Sequence, residues 1–159
     1  MYEKFGEFNS YEEINRAAAA QIAEGDTEAI LLIAEENGID KEDAQDYIDR
    51  CVDSLCTAKM AAIGKMKLEA KELRLEGLLL DWESYITDLC MEDQELCLAV
   101  RRKGKRMAGC MAALLKYGFE SKKRVPETVV KEAGLNPPIY MGVPGRTDAK
   151  RIIYEYYKK

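Results

Sequence analysis

Apolar residues recur along this 159-residue chain at steps of three and four, the spacing of one face of an α-helix. The pattern predicts about eight or nine short helices. The first helix has the clearest limits, because Ser10 and Glu13 form a capping box and Gly25 is a natural C-terminal end. We therefore predict an all-α fold, a compact single domain with an extended Pro/Gly loop near the C-terminus.

Two further short helices are expected in the first third of the chain. The second helix is predicted to end at Asn37-Gly38, a pair that favours a helix C-terminus. The third is predicted to begin after Asp40, with an inner face that continues through Cys51, Val52 and Leu55. Together with the first helix they are predicted to form a compact, acidic N-terminal subdomain.

The middle of the chain predicts longer helices. A fourth helix is expected from Thr57 to about Met66, and a fifth from about Glu69 to Cys90. The next two apolar helical segments are either separate helices or one helix interrupted at Gly104.

The C-terminal region contains the residues that break helices. Pro126 suits the first turn of a short helix that Gly134 would close. Residues 139–145 are predicted to be an extended loop or one isolated short strand, and Thr147 is predicted to cap the last helix.

Charge is distributed very unevenly. Residues 1–50 hold 14 Asp/Glu against 4 Lys/Arg, residues 51–100 hold 10 against 5, and residues 101–159 hold 5 against 15. The overall charge of −5 hides this polarity, which bears on partners rather than on fold. We predict an acidic helical subdomain, 1–56, packed on a basic helical part, 57–159.

The cysteines and the N-terminus indicate a cytoplasmic protein. The chain opens without the apolar region of a signal peptide, and no apolar run is long enough to span a bilayer. No C-x-x-C motif and no histidine occurs, so we expect buried, reduced thiols rather than a zinc site. The five cysteines are Cys51, Cys56, Cys90, Cys97 and Cys110.

Catalytic motifs are missing from the sequence. Without histidine, Ser-His-Asp and Cys-His catalysis are excluded. The acidic stretch 40–49 suggests either solvated helix faces or weak divalent-cation binding, and it lacks the spacing of an EF-hand loop. The loop 142–146 suggests either a proline-stiffened turn or an anion site at a helix N-terminus. We predict no enzyme activity, no catalytic residue, no metal and no cofactor.

Cations near the C-terminus are the candidate binding residues. Five fall within 101–106, and the following ones are opposed only by Glu120. They form either a solvated face that pairs with the acidic helices, or a surface for phosphates or an acidic protein. Sequence-specific DNA binding is not expected, because the second helix of a possible helix-turn-helix at 108–135 has few base-reading side chains. The candidates are Arg101, Arg102, Lys103, Lys105, Arg106, Lys116, Lys122, Lys123, Arg124 and Arg146.

Four blocks of the chain carry a resemblance to a known group of proteins. They are EFNSYEEINRAAAAQIAEGD (7–26), IAEENGIDKEDAQDYID (33–49), VRRKGKRMAGCMAALLKYGFE (100–120) and MGVPGRTDAKRIIYEYY (141–157). In this order the blocks resemble small accessory proteins of conjugative and phage-like elements of gut Firmicutes. Accessory genes of this size in such elements include inhibitors of host defence, notably anti-CRISPR proteins that act on type II effector nucleases.

The resemblance and the charge pattern together suggest a function. We expect a non-enzymatic, charge-driven binding protein of a mobile genetic element, an anti-CRISPR inhibitor that binds a type II CRISPR effector nuclease and blocks DNA binding or cleavage. Either the acidic third imitates nucleic acid, or the basic segment 101–124 contacts guide RNA or target DNA. The alternative is a nucleic-acid-binding accessory factor of conjugation or replication without sequence specificity. No membrane partner is expected.

Overall fold

A computed structural model describes all residues, 1–159, and confirms the all-α class. Only two short strands occur, β1 (Lys123–Arg124) and β2 (Tyr140–Met141), which pair antiparallel. The nine helices are α1 (Tyr11–Glu24), α2 (Thr27–Glu36), α3 (Lys41–Ile48), α4 (Ala58–Leu73), α5 (Leu78–Glu92), α6 (Gln94–Arg101), α7 (Met107–Glu120), α8 (Glu127–Glu132) and α9 (Arg146–Lys158).

The limits of α1 agree with the sequence prediction. The Ser10 hydroxyl accepts a hydrogen bond from the Glu13 N–H at 3.2 Å, and Gly25 ends the helix in the left-handed region at φ 75°. The capping box differs in one detail, since the Glu13 carboxylate accepts from the N–H of Asn9 rather than of Ser10.

Helices α1, α2 and α3 enclose a common apolar core. Helix α2 contacts both α1 and α3, and the Asp26 carboxylate caps it by accepting from the Ala29 N–H at 2.9 Å. Burial of aliphatic side chains is the main force that holds such short helices together. The buried residues of this core are Ile14, Ala18, Ile30, Ile33, Ala34, Ile39, Ala44, Tyr47, Leu55, Cys56 and Ala61.

The predicted continuation of α3 is wrong. The helix ends at Ile48, and Arg50 then adopts a positive φ of 62°, which a continuous α-helix does not allow. Cys51 and Val52, expected on the inner face, are consequently exposed, whereas Leu55, expected there too, is buried although it lies outside the helix.

The predicted limits of the fourth and fifth helices are also wrong. Helix α4 continues past Met66 to Leu73 and ends at Arg74, which lies in the left-handed region at φ 51°. Helix α5 then begins after Gly77, so Glu69 belongs to α4 rather than to the start of the next helix. This longer α4 contacts both α5 and α6.

Two glycines allow α4 to lie close to the turn that follows α2. A Cβ built on Gly38 would overlap the backbone of Gly64, and a Cβ on Gly64 would overlap the carbonyl of Asn37. Gly38 also has a positive φ of 67°. Only glycine at both positions permits this backbone contact.

The chain divides into two compact units, Met1–Met107 and Ala108–Lys159. This division lies in a different place from the predicted subdomains 1–56 and 57–159, and the single domain stays a prediction. Within the second unit, Gly109 of α7 lies against the ring of Tyr156 on α9.

The second unit differs from prediction in its turns. The segment predicted to be a loop or isolated strand contains β2, whose pairing with β1 was not foreseen. Helix α9 begins at Arg146 with Gly145 in the N-cap position, so Thr147 does not cap it. Pro126 directly precedes α8, and Gly134 follows it with φ 72°, as expected.

None of the nine helices combines the length and apolar composition needed to cross a bilayer.

Candidate functional site

The first cation of the basic segment points into the protein. Arg101 is 2 % exposed. Its guanidinium donates to Asn37 Oδ1 at 2.7 Å and to the Tyr2 hydroxyl at 3.3 Å. Contrary to the sequence prediction, Arg101 is therefore not part of an exposed binding surface.

A group of buried charged side chains surrounds Lys65 of α4, which is 1 % exposed. The Lys65 Nζ lies 3.2 Å from Glu7 Oε1 and 3.9 Å from Glu69 Oε1, and it donates to the Arg102 carbonyl at 2.8 Å. Burial lowers the pKa of Lys65, while the two carboxylates oppose that shift. We call Glu7, Lys65, Glu69 and Arg106 the ion cluster.

Arg106 joins the ion cluster from its outer side. This side chain is 45 % exposed, and its guanidinium lies 3.8 Å from Glu7 Oε2 and 3.7 Å from Glu69 Oε1. Glu69 also accepts a hydrogen bond from the Met107 N–H at 2.5 Å. Burial raises the pKa of Glu69, against the lowering effects of the Met107 N–H, Lys65 and Arg106.

The N-terminal residues 1–9 are fixed against the same region. The Glu36 carboxylate accepts hydrogen bonds from the backbone N–H of Lys4 at 2.6 Å and of Phe5 at 3.0 Å. The Tyr2 ring lies 5.6 Å from the Arg106 guanidinium carbon. No pattern in the sequence predicted these contacts of residues 1–9. For the ion cluster the one signal was Lys65 and Glu69, two charges one turn apart among apolar residues of α4.

Most of the other predicted cations remain at the surface. Lys105 is half-buried, and the Lys116 Nζ lies 3.8 Å from Glu120 Oε1 one turn away. The structure therefore divides the predicted set: Arg101 is buried, Arg106 is 45 % exposed but paired within the ion cluster, and a third, exposed part lies outside that cluster. The exposed part is Arg102, Lys103, Lys116, Lys122, Lys123, Arg124 and Arg146.

Helices α1–α3 present carboxylates that the basic segment does not use. The carboxylates that pair with cations of the basic segment are Glu7, Glu69, Glu120 and Glu127, which all lie outside these three helices. Between residues 11 and 49 only Arg16 and Lys41 are exposed cations, and the exposed carboxylates there form no ion pair. This acidic surface consists of Glu12, Glu24, Asp26, Glu28, Glu35, Asp40, Glu42, Asp46 and Asp49.

The structure also bears on two further hypotheses from the sequence, divalent-cation binding by the acidic stretch 40–49 and an anion site in the loop 142–146. No group of three or more Cys, Asp or Glu side chains is placed to hold a metal ion. In the loop 142–146, a Cβ on Gly142 would overlap the Gly118 carbonyl and the Lys122 backbone, and Pro144 is buried. This half of the loop is packed against the chain, as expected for a stiffened turn.

Four of the five cysteines are buried free thiols, and Cys51 alone is exposed. Burial raises the pKa of Cys56 and of Cys110 to about 12. A hydrogen bond from the neighbouring Cys90 lowers the pKa of Cys97. The buried positions agree with the expectation of thiols acting as small apolar side chains, except at Cys51.

A groove of about 620 Å³ lies between α2 and α4, and no motif in the chain predicted it. Its apolar lining comes from Leu31, Ile39 and Leu68, and its α4 edge carries Lys67 and Lys71. The volume is within the range of small-molecule pockets, about 300–1,000 Å³.

The molecule thus offers three exposed features: the acidic surface, the cations of the second unit and the α2–α4 groove. Within the ion cluster Glu7, Lys65 and Glu69 are at most 9 % exposed and Arg106 alone reaches solvent, so we assign the cluster to the fold rather than to a binding surface. No protein-family model, no curated protein and no solved structure matches this chain.

Proposed function

We propose that this chain is a non-enzymatic, charge-driven binding protein of a mobile genetic element that inhibits a type II CRISPR effector nuclease. The observation that carries the proposal is the acidic surface, whose carboxylates are exposed and form no ion pair. The mobile-element origin and the class of partner rest on the resemblance of the four sequence blocks.

The chemistry of the partner suits such a surface. An effector nuclease holds its guide–target duplex in a positively charged channel and reads the adjacent DNA motif with arginine side chains. Carboxylates form short, charge-assisted hydrogen bonds with arginine, often in pairs. A protein that presents nine exposed carboxylates with only two exposed cations among them, Arg16 and Lys41, can therefore occupy sites made for phosphates.

The rigidity of α1–α3 also favours binding. The carboxylates lie on, or directly beside, three helices that pack around a buried core. An ordered surface loses little conformational entropy on binding, which leaves more of the electrostatic attraction as affinity. Attraction between opposite charges also speeds association and weakens with salt.

Inhibition of target cleavage in vitro tests this proposal. The wild-type chain, in excess over several type II nuclease orthologues with their guide RNA, should block cleavage, less so as salt rises. A variant with Glu12, Glu24, Glu28, Glu35 and Glu42 all changed to Lys should inhibit at least about tenfold more weakly, or 1.4 kcal/mol.

A matched control reverses five exposed carboxylates elsewhere in the same unit. The control carries Lys at Glu72, Glu76, Asp81, Asp88 and Glu92, all exposed. It should inhibit as the wild type does, with circular dichroism showing that both variants are folded. Absence of inhibition for every orthologue, or equal loss in both variants, overturns the proposal.

A second candidate function has its own supporting observation. The unit Ala108–Lys159 holds 10 Lys/Arg against 5 Asp/Glu, and Lys122 and Lys123 are exposed without an ion pair. Such an excess favours phosphate backbones, as in a nucleic-acid-binding accessory factor of conjugation or replication. This function would use a different unit from the acidic surface.

A further inference from the structure

We infer that the two-stranded β1–β2 ribbon of the second unit is a binding site for single-stranded nucleic acid. The inference rests on the second candidate function and names the site and the class of ligand. We call residues 122–125 and 139–141 the ribbon.

The strand register places cations beside large apolar side chains. Lys123 is opposite Met141, and Arg124 is opposite Tyr140. The Val125 N–H extends the pairing by donating to the Ile139 carbonyl at 2.8 Å. Directly opposite residues of an antiparallel pair lie on the same face, so Arg124 and Tyr140 share one face of the ribbon.

The positive charge of the ribbon is largely uncompensated. Lys122, Lys123 and Arg124 are consecutive and exposed. The carboxylate of Glu127 lies 3.2 Å from Arg124 and 3.7 Å from Lys131, so one acid serves two bases. Exposed pairs of this kind contribute at most about 1 kcal/mol, and a phosphate can replace the carboxylate.

Exposed aromatic and apolar side chains accompany these cations. Tyr140 is 56 % exposed and Met141 is 66 % exposed, while Phe119, four residues before β1, is 69 % exposed. Aromatic rings next to cations are the combination with which proteins hold unpaired bases and their backbone. A duplex keeps its bases stacked away from such rings, which is why the site fits a single strand.

The ribbon is also held in place. A Cβ on Gly142, directly after β2, would overlap the Gly118 carbonyl and Lys122. This contact fixes β2 against both the end of α7 and the start of β1. A ligand would therefore meet the Tyr140 ring and Arg124 on one face of the ribbon, with Lys123 on its other face, already in position, which reduces the entropy lost on binding.

Fluorescence anisotropy with the full chain tests the site. The probes are a labelled thymine oligonucleotide of about 20 nucleotides and a duplex of the same length, at rising salt. The wild type should bind the single strand more tightly than the duplex. Three neutralised phosphates predict a slope of log affinity against log salt of about −2 for a single strand.

Variants of the ribbon test whether nucleic acid binds at this site rather than elsewhere on the chain. Tyr140→Ala should weaken single-strand binding by about tenfold, because one stacked base is lost, and Tyr140→Phe should bind as the wild type does. Lys122→Gln with Lys123→Gln should reduce the salt slope by about 1.4, whereas the control Lys150→Gln with Lys159→Gln should leave it near the wild-type value.

The outcomes are distinct. If Tyr140→Ala binds the single strand as tightly as the wild type, nucleic acid binds at another site, and the proposal that the ribbon is the binding site is overturned. Tighter binding of the duplex would overturn the single-strand preference. No binding of either probe at low salt would overturn both the site and the second candidate function. Unfolding curves for each variant show that a loss does not come from a lost fold.

Discussion

The ion pairs of the two units differ in what they connect. In Met1–Met107, four ion pairs gather on Glu7 and Glu69, and they join the N-terminal residues, α4 and the segment before α7. In Ala108–Lys159, five pairs join residues three or four positions apart, with side chains between 44 % and 75 % exposed. The first set holds distant parts of the chain together, and the second holds only neighbours.

This difference decides which charges are available to a partner. A buried ion that loses its partner destabilises a protein by about 3–5 kcal/mol, because its desolvation is no longer compensated. Exposed pairs contribute about 0–1 kcal/mol, so a phosphate or carboxylate from outside can replace one member at little cost. The charges of the ion cluster in the first unit therefore stabilise the fold, whereas the exposed charges of the second unit are available to bind a partner.

The largest effect is expected for Lys65→Met, which removes the centre of the ion cluster. The change leaves Glu7 and Glu69 with only Arg106 as a counter-charge, and it removes the donor to the Arg102 carbonyl. We expect a loss of about 3–5 kcal/mol in the free energy of unfolding, measured with urea.

The exposed neighbour Lys67 on the same helix provides the control. Lys67→Met should change the free energy of unfolding by no more than about 0.5 kcal/mol. Equal losses for Lys67→Met and Lys65→Met would mean that the ion cluster contributes nothing beyond the helix itself.

An intermediate effect is expected for Glu36→Gln, which weakens the attachment of residues 1–9. One carboxylate oxygen accepts from the Lys4 N–H and the other from the Phe5 N–H, and an amide has only one accepting oxygen. We expect a loss of about 1–2 kcal/mol and faster hydrogen exchange at both amides.

Glu35 beside it is exposed and provides the control. Glu35→Gln should leave the exchange rates of the Lys4 and Phe5 amides unchanged. If Glu36→Gln also leaves these exchange rates unchanged, the N-terminal residues are held by their other contacts. Glu36 would then not be one of the buried charges that join distant parts of the first unit.

Signals within a helix predicted the limits of the first helix, but the sequence did not predict contacts between residues that are far apart along the chain. The cap of α1 could be read from Ser10 and Gly25, because both signals lie within the helix they limit. The buried roles of Lys65 and Glu69 could not, since apart from each other their partners are Glu7 and the segment 102–107, which lie 37 or more residues away along the chain. The contacts of residues 1–9 were missed for the same reason.

Arg101 shows that one part of the site could have been predicted. It lies four residues after Cys97, which is fully buried on α6. Helical periodicity therefore places its side chain on the inner face, although its charge resembles that of its neighbours. Position on the helix, rather than charge density, separates the internal cation from Arg102 and Lys103, which are exposed.

The smallest effect is expected for Glu120→Gln, which breaks an exposed pair of the second unit. Its carboxylate lies 3.8 Å from Lys116, the same separation as between Arg106 and Glu7 in the ion cluster. Glu120 is 66 % exposed and Glu7 only 9 %, so water screens the first pair far more than the second. We expect urea unfolding of Glu120→Gln to differ from the wild type by no more than about 0.5 kcal/mol. A loss of more than about 1 kcal/mol in the free energy of unfolding would mean that distance, not burial, sets the strength of these ion pairs. The cations of the second unit would then stabilise the fold as much as those of the first.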